Sequence, residues 1–303
     1  MALLVPGRSD FMFRRFMAAV PLALMSLTVP TQAQMASGLD GLSDDQLQQA
    51  VNFVIGNAIF SLYHEGSRML ISDFGTAETA SAQAPADQLA GTLILQANEE
   101  WLDTALVNAT DSWYLAREAE TLPEHEAPVF SALVPDRSRD RNMACLMVGR
   151  DKDGYGDLAT MMGLPNTEFD KCVAAYPGVA SAWEKFLAPH RSQTPSKFSV
   201  SYVPPRDPDL EPYAIMVKES KVLDLISRSF SGYGLKGDVK LTAKSCGRPD
   251  VYWSAEKREI TYCYELGKFQ AELIADHLMN TVTQDKGAAG GQIPTAVNLE
   301  REI

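Results

Sequence analysis

Cysteine is scarce: four in 303 residues are too few for a disulfide-dense mini-scaffold, and no two fall within the C-x(2–4)-C spacing of structural zinc sites. Basic side chains are also short, 27 against 39 acidic ones, and the formal charge of -12 repels phosphate backbones and anionic lipid head groups. Nucleic acid is therefore not an expected partner. No apolar run reaches the roughly 20 residues that a bilayer core requires. Neither a Gly-rich phosphate loop, a G-x-S-x-G elbow nor a C-x-x-C pair is present, and no repeat of solenoid period is found. What is there is ordinary for a globular chain: 46% hydrophobic and 22% charged residues, with 20 Gly and 17 Pro, exclude disorder and collagen-like repeats.

The first 33 residues read as an address. Arg14 and Arg15 precede the apolar run Phe16 to Val29, and Thr31-Gln32-Ala33 places small residues where a signal peptidase reads. The run is only about 14 residues, interrupted by Pro21 and ended by Pro30, so a signal peptide is expected over 1–33 rather than a stable membrane anchor. The chain is then exported, periplasmic or secreted. Export permits disulfides, and Cys145, Cys172, Cys246 and Cys263 form an even set that allows three pairings. Nearest-neighbour pairing is preferred. Cys246 and Cys263 bracket an expected β-hairpin, Asp250 to Trp253 against Glu259 to Tyr262, which leaves Cys145 for Cys172.

Ser43-Asp44-Asp45-Gln46 fits a capping box, and Leu47, Val51, Val54, Ile55, Ala58, Leu62 and Leu70 recur at helical steps until Gly75. Further helices are expected from Asp87 to Ala97, Glu99 to Glu120, Met143 to Val148, Thr167 to Leu187, Lys218 to Phe230 and Tyr264 to Val282. Residues 121 to 142, with Pro123, Pro128, Pro135 and alternating charges, read as a surface loop. Strands are expected at Lys197 to Val203, Val239 to Ala243 and in the hairpin. The expected fold is α+β, mainly helical, with a small antiparallel sheet near the C-terminus. The expected domain spans 34–283 with a flexible tail over 284–303.

Phe53-Val54-Ile55-Gly56-Asn57-Ala58-Ile59-Phe60, running into Tyr63-His64-Glu65, resembles the active-site helix of a bacterial family of zinc metallopeptidases in the zincin group, formerly a domain of unknown function. Matching stretches follow in order: Ala86 to Ala90, Asn142 to Gly149, Gly163-Leu164-Pro165, Cys172, Trp183 to His190, Cys246-Gly247 and Ile260 to Leu266. The resemblance implies a zincin-like fold, zinc as cofactor and peptide-bond hydrolysis. Such a family needs two imidazoles at i and i+4 on one helix face to hold Zn²⁺, a Glu to activate bound water, and a third ligand on the next helix. The expected pattern is His-Glu-x-Gly-His, then Glu-Asp-Ala-Ala-Asp.

His64 keeps the first ligand and Glu65 the general base, but Arg68 stands at the second His and Ser67 at the Gly before it. A guanidinium has no free lone pair and stays charged, so it cannot ligate a dication. Aligned on Asp87, the third-ligand carboxylate falls at Gln83, with Ala84 where an Asp would follow. The expected outcome is a former metal site rebuilt as an ion-pair cluster, with Arg68 pairing Glu65, Asp87 or both, and no bound metal. A plain polar stripe on a helix is the bland alternative. His125, in a proline-bounded loop, and Glu265, at the head of the last helix, are the rescue ligands worth testing. His190 and His277 lack ligand-like neighbours, and the aromatics Tyr252, Trp253, Tyr262 and Tyr264 either line a groove or simply pack.

Two functions follow. One is an inactive family member that binds a peptide or envelope protein through the old cleft. The other is an active zinc metallopeptidase using unconventional ligands, or Glu65 without metal. A purely structural, disulfide-stapled envelope protein is a third.

Overall fold

The computed structural model describes residues 39, 41–75, 83–118 and 137–285. The expected signal peptide, His125 and the tail beyond Asp285 lie outside the described residues. All described residues belong to one unit, Met35–Ile303.

Helix α1 spans Asp44–Phe74 and starts at the expected capping box, in which Gln46 N–H donates to the Ser43 hydroxyl (3.4 Å) and Ser43 N–H to the Gln46 side chain (3.0 Å). Every residue from Gly56 to Ser67 is buried, so the middle of α1 is enclosed on all faces and is the axis of the fold. Close approach depends on glycine at two of its positions. A Cβ on Gly56 would lie 2.4 Å from the Asn108 side chain, and one on Gly66 would lie 2.4 Å from the Phe230 ring. At its end, Asp73 accepts from both terminal nitrogens of Arg258 (2.7 and 2.9 Å) and from Lys236 N–H.

Helices α2 (Gln83–Ala97), α3 (Glu100–Glu118), α4 (Arg137–Arg150), α5 (Lys152–Met161) and α6 (Phe169–Leu187) follow. α2 begins a turn before the expected Asp87, because Pro85 falls in its first turn, where no backbone N–H is needed. Residues 137 to 142 correct the surface-loop expectation: they are the first turns of α4. Two of their charges are buried and paired, Asp140 with Arg117 and Arg139 with Asp87. α5 starts on Asp151, whose carboxylate accepts from Gly154 N–H at 3.0 Å.

After β1 (Phe198–Tyr202), the helix expected from Lys218 to Phe230 starts at Val222 as α8 (Val222–Phe230), and a separate, unexpected helix, α7 (Glu211–Glu219), precedes it; the two are separated at Lys221, which adopts φ 52°. Strands β2 (Val239–Lys244), β3 (Val251–Ser254) and β4 (Glu259–Cys263) and helix α9 (Tyr264–Asp285) complete the described chain. The sheet order is β1-β2-β4-β3. The hairpin β3–β4 is antiparallel as expected, with Trp253 opposite Ile260, but β1–β2 and β2–β4 are parallel, so the sheet is mixed. The crossover through α7 and α8 brings β2 back alongside β1 in the same direction. No described helix is long and apolar enough to cross a membrane.

Both disulfides have the expected pairing: Cys145–Cys172 ties α4 to α6, and Cys246–Cys263 ties the chain after β2 to the end of β4. A satellite core of Ala144, Val148, Ala159, Met162, Leu164, Phe169 and Cys172 sits around the first of them.

Asp111 on α3 has no hydrogen-bond or ionic partner among the described residues, and burial pushes its carboxyl from 3.8 up to about 6. A raised carboxyl favours the folded state when protonated, so its contribution is full below the unfolded value and is lost as pH rises through about 6. Asp111→Asn is expected to stabilise the fold by about 2 to 3 kcal/mol above about pH 7 and to change nothing below about pH 3. Urea midpoints across that pH range check it; an equal gain at every pH would contradict the burial argument.

Candidate functional site

The middle of α1 carries His64, Glu65 and Arg68, all three turned toward elements packed on that helix. His64 and Arg68 stand one turn apart, as i and i+4 require. His64 Nδ1 lies 2.7 Å from Asp87 Oδ1 on α2. Asp87 is also gripped from α4: Arg139 Nε donates to one oxygen and Arg139 Nη2 to the other, each at 2.7 Å. The Arg139 guanidinium lies 4.3 Å from the Trp113 ring centre on α3. Burial alone would raise the Asp87 carboxyl, yet the bonds from His64 and Arg139 outweigh it and hold the group below its ordinary range.

Glu65 is completely buried. Its Oε2 accepts Trp253 N–H from β3 at 2.7 Å, and Arg68 Nη1 lies 3.3 and 3.4 Å from the two oxygens. His64 Nε2 stands 3.7 Å from Glu65 Oε1, beyond hydrogen-bond reach, and has no hydrogen-bond partner among the described residues. The expected ion-pair cluster is therefore split. Arg68 pairs with Glu65, whereas Asp87 takes His64 and Arg139 in its place.

Gln83 is exposed and lies one turn before Asp87 on α2; both face an open cleft of about 670 Å³ between α2, α4 and α6, together with Arg139, Asn142, Tyr176 and Trp183. This donor set does not fit a three-ligand zinc site. One imidazole nitrogen is presented, a guanidinium occupies the position of the second, and an amide the position of the third.

The rescue ligands do not change that count among the described residues. Glu265 accepts backbone N–H bonds from Cys246 (2.9 and 3.0 Å) and Gly247 (2.7 Å) and makes no bond or ion pair to His64. Cys246, Cys263 and Glu265 lie close enough to hold a metal ion, but the two sulfurs are spent on their disulfide. His125 lies outside the described residues. His190 stacks on Phe74 with centroids 3.9 Å apart, and half-buried His277 is pushed below its ordinary pKa by burial. Tyr262 and Tyr264 are fully buried and pack in the core, with the Tyr264 hydroxyl on Ala243 O at 3.0 Å.

Sequence reasoning missed Arg139 and the Trp253 backbone. The Arg139 signal was its position four residues before Met143 and eight before Met147, on the same buried stripe of α4. A backbone donor from a strand nearly 190 positions away leaves no sequence trace.

No curated protein and no solved structure matches the chain. A family comparison does: residues 26–187, more than half of the sequence, match the family described as "Putative metallopeptidase", and the span takes in His64, Glu65, Arg68, Gln83, Asp87 and Arg139. A metal such as zinc is what that family suggests. By this match over the segment that builds the site, the chain belongs to that metallopeptidase family.

Proposed function

We propose that this chain is an exported, catalytically inactive member of its family, which binds a peptide or envelope protein and holds no zinc. The observation that carries the reading is the state of Glu65. A general base must reach a water next to the scissile bond, whereas Glu65 is fully buried, with one oxygen on the Trp253 N–H and both facing Arg68. Two charges that a dication would otherwise offset are offset by protein cations: Arg68 on Glu65 and Arg139 on Asp87. Export is supported by the leader pattern and by two disulfides.

The test is elemental analysis of the disulfide-intact protein after dialysis against trace zinc. Wild type is expected to be empty, and Arg68→His with Gln83→Glu to take up about one zinc per chain, because together they restore the missing donors. Stoichiometric zinc in wild type would overturn the reading.

One observation favours the active alternative. His64 has a carboxylate on Nδ1 and a free Nε2, the arrangement of a metal-bound imidazole with its supporting carboxylate. That reading requires zinc in the wild type and a peptidase activity abolished by Glu65→Gln.

A further inference from the structure

Among the described residues, β1 is an edge strand, paired on one side. Its register with β2 fixes which backbone groups face outward. Lys197 O accepts from Val239 N–H (3.0 Å) and Val203 N–H donates to Ala243 O (2.9 Å), so 197, 199, 201 and 203 turn toward β2. The N–H and C=O groups of Phe198, Val200 and Tyr202 therefore point away from the sheet, and they meet no backbone or side-chain partner among the described residues. Natural edges are usually blunted by a charge, a proline or a bulge within the strand. Phe198-Ser199-Val200-Ser201-Tyr202 has none of these.

The strand is also a palindrome in residue type: aromatic, Ser, Val, Ser, aromatic. A two-fold contact between identical surfaces must be self-complementary. We infer that β1 is the interface of a homodimer, in which two copies pair their β1 strands antiparallel about a two-fold axis at Val200. The three residues whose backbone groups point outward then match themselves: Val200 pairs with its own copy, and Phe198 with Tyr202 of the second copy, while their half-buried side chains stay on the core face of the sheet. These are the positions that exchange both hydrogen bonds in an antiparallel ladder. The exposed Ser199 and Ser201 face each other at the closer, non-bonded positions. A chain carrying -12 repels a second copy of itself, and an uncharged strand is where two such chains can approach. Dimerisation joins the two sheets into one.

The inference is independent of zinc and of catalysis, and its test uses the full disulfide-intact chain in sedimentation velocity over about 1 to 500 µM, because so short a contact makes a weak dimer. Wild type is expected to shift from monomer to dimer within that range. Val200→Pro removes the central outward N–H and leaves the β2 ladder untouched, so it is expected to be monomeric throughout. Ser199→Glu with Ser201→Glu places like charges across the axis and is expected to abolish the dimer; Ser199→Glu with Ser201→Lys places opposite charges there and is expected to restore it. The charge-swap pair needs no proline and reads the register directly. A wild type that stays monomeric, or a dimer that survives both Val200→Pro and the double Glu change, overturns the inference.

Discussion

Asp87→Ala is expected to lower folding stability by about 3 to 5 kcal/mol, the cost of removing one partner from a buried charge pair. Asp87 is nearly buried, accepts both bonds of the Arg139 fork and also holds His64 Nδ1. Its loss takes the carboxylate from a guanidinium enclosed by α2, α3 and α4. The companion variant, Asp87→Leu with Arg139→Met, is expected to recover most of that loss, since replacing both partners by apolar groups removes the desolvation cost along with the attraction. Urea unfolding of the two variants and both singles closes the cycle. A single-variant loss below about 1 kcal/mol would mean that the pair behaves like a surface salt bridge.

Cys145→Ser with Cys172→Ser is expected to cost about 3.5 kcal/mol, because the bridge closes a loop with a sequence separation of 27 in the unfolded chain. The same treatment of Cys246 and Cys263, separation 17, is expected to cost about 3 kcal/mol. The first change should also loosen α4 against α6, where the satellite core is only a few side chains deep. Denaturation in oxidising and reducing buffer checks both. A reductant should bring wild type down to the doubly substituted forms, and an unchanged midpoint for either pair would show that its loop is already ordered before the bond forms.

What could be read from the sequence was local. The capping box at Ser43, the helical stripe of α1 and the β3–β4 hairpin depend on residues within a turn or a short loop of one another, and both cysteine pairings join nearest neighbours in the sequence. Four-residue spacing puts His64 with Arg68 and Gln83 with Asp87 on shared helix faces, and both pairs fall on α1 and α2 as the family resemblance implied. The wiring of the site was not legible. Arg137 to Asn142 read as loop because charges signal solvent, and only the fold reveals that Arg139 and Asp140 each have a carboxylate or guanidinium waiting on another helix. The parallel sense of β1–β2–β4 was hidden because each strand shows the same pattern whichever way its neighbour runs. The break between α7 and α8 rests on one left-handed residue, Lys221, that propensity does not mark.

The enclosure of α1 also governs how the chain must fold. The first helix of the domain is packed against α3, against β3 and, through Gln46 Nε2 on Leu278 O (3.3 Å), against the last described helix, α9. Part of its walls is thus supplied by β3 and α9, far downstream in the chain. Such contacts form only after long loops have closed, so folding of this domain is expected to be slow for a mainly helical protein. A nascent chain lacking α9 leaves the apolar flank of α1 open to other proteins. A ribosome-stalled or C-terminally truncated product ending before Tyr264 should accordingly depend on a holdase, whereas the finished chain should not.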